Sequence, residues 1–110
     1  MLIFPLKKEW YEKIKSGEKT IEYREVKPYW KKRIDTLLRD FVLCESDLKV
    51  LDDFRFGKTV VCNKGCILQL GYNANTRLKA IITKIEVVDG KNTDLHIDKP
   101  VYAIHLADVR

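Results

Sequence analysis

Lys19, Glu22 and Arg24 are the residues of this chain whose types and spacing are best suited to chemistry. A lysine ammonium is a compact charge suited to phosphate, and an arginine offers a planar fork of donors to a phosphate or a base edge. A glutamate can orient that fork or accept a hydrogen bond from a base amino group. On a strand, Glu22 and Arg24 project from the same face. The pattern predicts a site for an anion or a base, although an ordinary salt-bridged strand surface has the same composition.

A helix and a strand are predicted to position these side chains. Trp10 and Ile14 lie four apart within residues 8–16, a spacing typical of a helix face that packs on a core. Gly17 follows as a left-handed C-cap. Residues 19–26 alternate with a period of two, which indicates a strand with one charged face. We therefore expect Gly17 to turn the chain sharply and to bring Lys19 to the mouth of the strand.

The remaining pattern contains one more helix and several strands. Residues 2–6 resemble a first strand in which Pro5 suits an edge position, and Pro28 favours the first turn of a second helix. Residues 40–58 have a weak pattern, with a short strand at 41–44 and a loop or hairpin at 52–57. Further strands are predicted at residues 59–62, 67–72, 78–88 and 101–106, with turns at 63–65, 73–75 and 89–90. This order predicts an α+β fold whose sheet curls or closes into a small barrel.

The composition limits the classes of protein to which the chain can belong. Its 110 residues are 45% hydrophobic and 34% charged, which is sufficient for a single domain over residues 1–110 and unlike a disordered chain. Its apolar runs are far shorter than the roughly 18 residues of a membrane span, so no membrane partner is expected. The first residues place their positive charge after an apolar run, the reverse of a secretory signal, which indicates a cytoplasmic protein.

Cysteine and histidine are too few and too scattered to predict a metal centre. Cys44, Cys62 and Cys66 make an odd count, which favours reduced thiols over disulfides. Cys62 and Cys66 lack further zinc ligands at a suitable spacing, because His96 and His105 stand alone in later segments. His96 is expected at the surface, and His105 on the outer face of the last strand.

The charge of the chain favours an anionic partner. The net charge is +5, and residues 1–40 contribute +4 of it. A basic field of this size suits RNA, with DNA as an alternative, although solvated surfaces often have the same charge. Asp47, Asp52 and Asp53 are expected to be solvated rather than to bind magnesium. We expect neither a metal nor a cofactor.

Residues 17–24 match the Gly-x-Lys-x-x-Glu-x-Arg signature of the ASCH domain family, within the PUA-like superfamily. Three flanking segments also resemble the small phage and bacterial members: Pro5-Leu6-Lys7, Lys27-Pro28-Tyr29-Trp30 and Leu70-Gly71-Tyr72. The resemblance implies a small PUA-like β-barrel flanked by two or more helices, with the signature pointing into a cleft. It also implies binding of RNA or of a modified nucleoside.

Together these arguments give a candidate binding set. Its members are Gly17, Lys19, Glu22, Arg24, Lys7, Tyr29 and Tyr72. Tyr29 is the better candidate for stacking on an unpaired base, since Trp30 is in phase with apolar residues of the second helix and is expected in the core. Trp10 is expected in the core for the same reason. Lys7, Lys8, Lys31, Lys32 and Arg33 are expected either to form a phosphate-binding rim or to be a solvated face.

Two enzymatic alternatives stay open. One ASCH branch resembles amidohydrolases of N4-acetylcytidine, which use the signature Lys, a Thr at the signature Glu position and a downstream carboxylate. Here Glu22 replaces that Thr, Thr20 is the nearest hydroxyl, and Glu86 is merely a later strand residue. Another branch resembles metal-independent ribonucleases. The catalytic candidates are Lys19, Thr20, Glu22, Tyr23 and Arg24. A third class is a protein interaction module in which the signature is only structural.

Overall fold

The described residues of the computed structural model, 1–39 and 59–110, form a small α+β fold with a five-stranded sheet. The strands are β1 (Leu2–Leu6), β2 (Ile21–Glu25), β3 (Thr59–Leu70), β4 (Arg77–Asp89) and β5 (Pro100–Ala107), and the helices are α1 (Lys8–Lys15) and α2 (Pro28–Arg39). The strand predicted at 41–44, the loop at 52–57, Cys44, Asp47, Asp52 and Asp53 lie outside the described residues.

The sheet has the order β1-β3-β4-β5-β2 and curls into a half-barrel. β1 is parallel to β3, and the other neighbours are antiparallel. β1 and β2 are therefore the two edges. Arg24 of β2 donates a hydrogen bond from Nη2 to the carbonyl oxygen of Pro5 in β1, at 2.6 Å. This bond joins the two edges of the half-barrel.

Most predicted elements occur in the structure, with shifted ends. Pro5 lies in an edge strand, and α2 begins at Pro28, both as predicted. α1 is followed by Gly17 with φ of +86°, which confirms the left-handed turn. β2 begins only at Ile21, so Lys19 and its neighbour precede the strand.

The turn predicted at residues 63–65 is wrong. β3 continues without a break from Thr59 to Leu70, and its pairing with β4 shifts between Val61 and Lys64. Cys62 and Asn63 there lie opposite the single residue Thr83, which is the pattern of a β-bulge. A bulge uses the same turn-forming residue types to bend and twist a strand rather than to reverse it. It contributes to the curl of this sheet.

The core lies between the concave face of the sheet and the two helices. Its largest fully buried members are Phe4, Ile14, Ile34, Leu38, Leu68, Ile82, Ile85, Tyr102 and Ile104. Trp30 is also buried, as predicted, but Trp10 is only half-buried, so its assignment to the core is wrong. Tyr11 fills that position instead, because it is buried three residues before Ile14.

Cys62 and Cys66 are buried thiols that face this core. Burial raises the pKa of Cys66 to about 12, which keeps it a protonated, unreactive side chain. Within residues 1–39 and 59–110, no three side chains group as a metal site. In the same ranges, neither helix has the length and hydropathy to cross a membrane.

Candidate functional site

A cleft of about 410 Å³ opens between the two edge strands, beneath α1 and the first turn of α2. Its aromatic walls are the rings of Trp10, Tyr23 and Trp30. Lys7 and Lys27 are exposed at its rim. This volume is typical of sites for small organic ligands.

Glu22 lies at the floor of the cleft and is almost completely buried, with 6% of its surface exposed. Its Oε1 accepts a hydrogen bond from the backbone N–H of Tyr23, at 2.9 Å. Its Oε2 has no hydrogen-bond partner among the described residues and lies 3.9 Å from Nη2 of Arg24. Burial raises the pKa of Glu22, and the nearby charges of Arg24 and Lys19 oppose that rise only in part.

Arg24 is held in the same floor by aromatic rings. Its guanidinium carbon lies 4.8 Å from the ring centroid of Trp30 and 5.6 Å from that of Phe4. Nη2 donates to the carbonyl of Pro5, whereas Nε is buried with no hydrogen-bond partner in residues 1–39 and 59–110. Burial lowers the pKa of Arg24, and Glu22 counteracts this. The guanidinium therefore belongs to the interior of the site and not to its basic rim.

Lys19 enters the cleft from the turn before β2. Its backbone N–H donates to the carbonyl of Lys13, at 3.0 Å, which fixes the turn that Gly17 begins. Its Nζ forms an ion pair with Asp94 and lies 4.9 Å from the ring centroid of Trp10. The side chain of Lys19 is only 10% exposed. Asp94 is thus a site residue that the sequence analysis missed.

The loop of residues 90–99 brings Asp94 to the site. Gly90 organises this loop, since its carbonyl accepts hydrogen bonds from the backbone N–H groups of Thr93 and Ile97 and from Oγ1 of Thr93. The N–H of Gly90 donates to the carbonyl of Lys99, at 2.9 Å. A Cβ at Gly90 would lie 2.7 Å from two carbonyl oxygens, those of Ile97 and Lys99. The loop can fold back in this way only because residue 90 has no side chain.

Leu95 and Ile97 of the same loop line the cleft, so the loop forms one of its walls. The only sequence signal for it was turn chemistry at Asp89-Gly90. Turn residues show that a chain reverses, but they do not show which site the following residues cover.

The structure brings together four residues of the predicted binding set, namely Lys7, Lys19, Glu22 and Arg24. Gly17 supplies the turn and lines no wall of the cleft. Tyr29 is 52% exposed and lines a neighbouring groove. Tyr72 is 94% exposed on the turn between β3 and β4 and does not line the cleft.

The catalytic candidates, too, lie partly inside and partly outside the cleft. Tyr23 lines the cleft, while Thr20 is exposed and borders a smaller cavity of about 270 Å³ on the other side of Lys19 and Asp94. Burial raises the pKa of Tyr23. Glu86 lies on the outer face of the sheet, where its Oε1 accepts a hydrogen bond from Nε2 of His105, at 2.6 Å.

No protein-family model, curated protein or solved structure matches this chain. The cleft must therefore be interpreted from its own chemistry. It combines a buried carboxylate and guanidinium, flat aromatic walls and a basic rim. Such a site can hold a planar ring that has hydrogen-bonding groups on one edge and an anionic group on the other.

Proposed function

We propose that the cleft binds the base of a nucleoside-containing ligand, in RNA or as a nucleotide. The observation that carries this proposal is the buried pair of Glu22 and Arg24, in which one atom of each has no hydrogen-bond partner within the described part of the chain. A buried polar atom without a partner costs about 1–3 kcal/mol. A nucleobase has adjacent donors and acceptors on one edge, so it can bind both groups. Since both atoms are closed to solvent, we expect Glu22 to rotate towards an entering base.

The walls and the rim support the same ligand. The half-buried rings of Trp10 and Tyr23 provide flat apolar surface for a base, and stacking on such rings is worth about 1–3 kcal/mol per base. Trp30 is 6% exposed and closes the wall behind Arg24. Lys7 and Lys27 are available at the rim for a phosphate. The resemblance of residues 17–24 to the ASCH signature, with its implied RNA or modified nucleosides, supports the proposal independently of these contacts.

Intrinsic fluorescence offers a direct test, because both tryptophans of the chain line the cleft. We would titrate the protein with the four common ribonucleoside monophosphates, N4-acetylcytidine and a single-stranded RNA octamer. At least one probe is expected to quench the fluorescence with saturation. Glu22→Gln is expected to weaken its binding by about tenfold through loss of a charged hydrogen-bond partner. Equal affinity of wild type and Glu22→Gln would contradict the role of the floor.

The rim is tested by two neighbouring lysines. Lys7 lines the cleft, whereas Lys8 is exposed and does not. Lys7→Ala is expected to weaken the binding of phosphate-bearing probes and to reduce its salt dependence, since each phosphate contact releases bound counterions. Lys8→Ala is the matched control and is expected to leave both unchanged. Identical behaviour of the two variants would remove Lys7 from the site.

A second candidate function is hydrolysis of an amide on such a nucleoside. The observation that favours it is Asp94, a downstream carboxylate that pairs with Lys19 and borders the smaller cavity beside the cleft. A water molecule would attack the acyl carbon and transfer a proton to Glu22, whose raised pKa suits general acid-base work. Lys19 would stabilise the oxyanion, and the C–N bond would break as Glu22 returns the proton to the leaving amine.

This second function is tested by turnover of N4-acetylcytidine to cytidine and acetate. We expect Lys19→Met and Glu22→Gln to abolish product formation, and Lys8→Ala to leave it unchanged. Absence of product from the wild-type protein would reject hydrolysis of this substrate and leave the binding proposal intact. The ribonuclease alternative has less support, because Arg24 is committed to the carbonyl of Pro5 and the raised pKa of Tyr23 disfavours its phenolate.

A further inference from the structure

A second concave surface lies beside the cleft, between β1 and α2. This α2 groove has a volume of about 640 Å³ and includes Ile3, Pro5, Tyr29, Lys32 and Arg33 among its lining residues. Pro5 also lines the cleft, so one residue forms a wall of both cavities. The two cavities are thus direct neighbours across Pro5.

Tyr29 is a preorganised aromatic surface within the α2 groove. The guanidinium carbon of Arg33 lies 3.5 Å from its ring centroid, and Nη1 of Arg33 donates to the carbonyl of Tyr29, at 3.2 Å. The edge contact with Trp30, at 5.0 Å between centroids and 79° between planes, fixes the ring further. Despite these contacts, half of Tyr29 is exposed. A ring held in this way loses little conformational entropy when a base stacks on it.

Adjacent aromatic residues therefore face adjacent cavities. Trp30 lines the cleft, and Tyr29 lines the α2 groove. Their ring centroids lie 5.0 Å apart with the ring planes at 79°, so two consecutive nucleotides can reach both places if the second base is turned out of the stack. A strand with one base in the cleft can thus bring its next base to Tyr29.

The charges of the α2 groove also suit a phosphate backbone. Lys32 and Arg33 line it, and no carboxylate of residues 1–39 or 59–110 does. Among the described residues, the acid of α2, Asp35, pairs with Lys31, at 2.7 Å, and with neither of the groove cations. A nucleic-acid phosphate is the complementary anion for Lys32 and for the N–H groups of Arg33 that do not donate to Tyr29.

We infer that the α2 groove holds the nucleotide next to the one bound in the cleft, so that the ligand is a single-stranded polynucleotide rather than a free nucleoside. This inference rests on the proposed function of the cleft. It adds a second subsite, in which Tyr29 stacks on the neighbouring base and Lys32 and Arg33 bind the phosphate between the two bases.

Comparison of ligand lengths tests the inference. The probes are uridine, cytidine and adenosine monophosphates and the corresponding RNA homotetramers. At least one tetramer is expected to bind about tenfold more tightly than its monophosphate. Tyr29→Ala should remove most of that gain without changing the affinity of the monophosphate, and Tyr29→Phe should retain it. Tyr72→Ala is the matched control, since Tyr72 is an exposed tyrosine that lines neither cavity.

The outcomes separate this inference from the proposal on which it rests. If the monophosphate binds but the tetramer gains nothing, or Tyr29→Ala keeps the gain, the second subsite is rejected and the cleft proposal stands. If neither monophosphates nor tetramers bind, the cleft proposal is rejected and the inference with it.

Discussion

Two connections between strands of the same sheet have opposite relations to the cleft. Residues 71–76, between β3 and β4, close on themselves through the side chain of Asn73, which bonds the backbone of Asn75 and the hydroxyl of Thr76. They leave Tyr72 almost fully exposed. Residues 90–99, between β4 and β5, fold back around Gly90 and bring Asp94 to Lys19. The first connection lines no wall of the cleft and joins it through the N–H of Gly71, which donates to the carbonyl of Leu6, at 2.7 Å. The second connection completes the cleft.

The difference shows how much a turn sequence can predict. Turn-forming residues indicate where the chain reverses but not which surface the connection covers. Both connections are rich in turn-forming residues, and the resemblance drew attention to Gly71 and Tyr72 in the first. What separates them is a close packing of backbone against backbone at Gly90, where two carbonyl oxygens occupy the space of a side chain. At Gly71 the positive φ of 54° demands the glycine, but no atom lies near its missing Cβ.

The largest effect is expected from a substitution at Gly90 that disrupts residues 90–99, the loop that completes the cleft. Gly90→Ala forces a methyl group against two carbonyl oxygens, and we expect a loss of about 2–4 kcal/mol in the free energy of unfolding. Gly71→Ala meets no atom and is expected to cost about 1 kcal/mol from its left-handed backbone alone. Urea denaturation of both variants measures the difference. Equal costs at the two glycines would contradict the packing described for residues 90–99.

A second test concerns Glu22, which lies beneath that loop. A carboxyl whose pKa is raised by folding binds its proton more tightly in the folded protein, so the resulting stability is present in acid. It is lost as the pH rises from the ordinary value of 4.5 through the raised pKa of Glu22. Relative to wild type, Glu22→Gln should therefore become more stable between pH 4 and pH 7.

Chemical denaturation of wild type and Glu22→Gln at several pH values provides this comparison. The difference in the free energy of unfolding should move in favour of Gln as the pH rises. A movement in favour of Glu would mean that the charge of Arg24 outweighs burial at the floor of the cleft.

A smaller effect is expected from Asp94→Asn, which releases Lys19 from its ion pair. Since Asp94 is 38% exposed, the loss of stability should be no more than about 1 kcal/mol. The released ammonium should bind a phosphate-bearing ligand a few-fold more tightly, because the anion no longer competes with Asp94. Calorimetric titration with the nucleoside monophosphates measures this change. Weaker binding would instead assign Asp94 itself a contact with the ligand.

The smallest effect is expected in residues 71–76, the connection that lines no wall of the cleft. Tyr72→Ala removes a side chain that is 94% exposed, so its stability should remain within about 0.5 kcal/mol of wild type. Its affinity for RNA should also be unchanged. A clear loss of affinity in this variant would return Tyr72 to the binding set.

The sequence predicted correctly those features that depend only on residues close together in the chain. Period-two alternation predicted the strand β2 with its charged face, and Gly17 predicted the turn that positions Lys19. The alternation did not predict that Glu22, on the charged face, is the buried residue of β2. The sequence was a poor guide where the result depends on distant packing. The bulge near Asn63 looks locally like a turn, the fold-back at Gly90 depends on Lys99, and the exchange of Trp10 for Tyr11 in the core depends on where α1 meets the sheet.

An amide-resolved NMR titration with a single-stranded RNA octamer, at low and at physiological salt, tests the central claim most directly. Binding in the cleft predicts that residues 17–24, residues 90–99 and both tryptophan indoles shift together, that residues 72–76 do not, and that the affinity falls with salt. Shifts confined to residues 71–76, or no shift near residues 17–24 at millimolar RNA, would contradict RNA binding by this cleft.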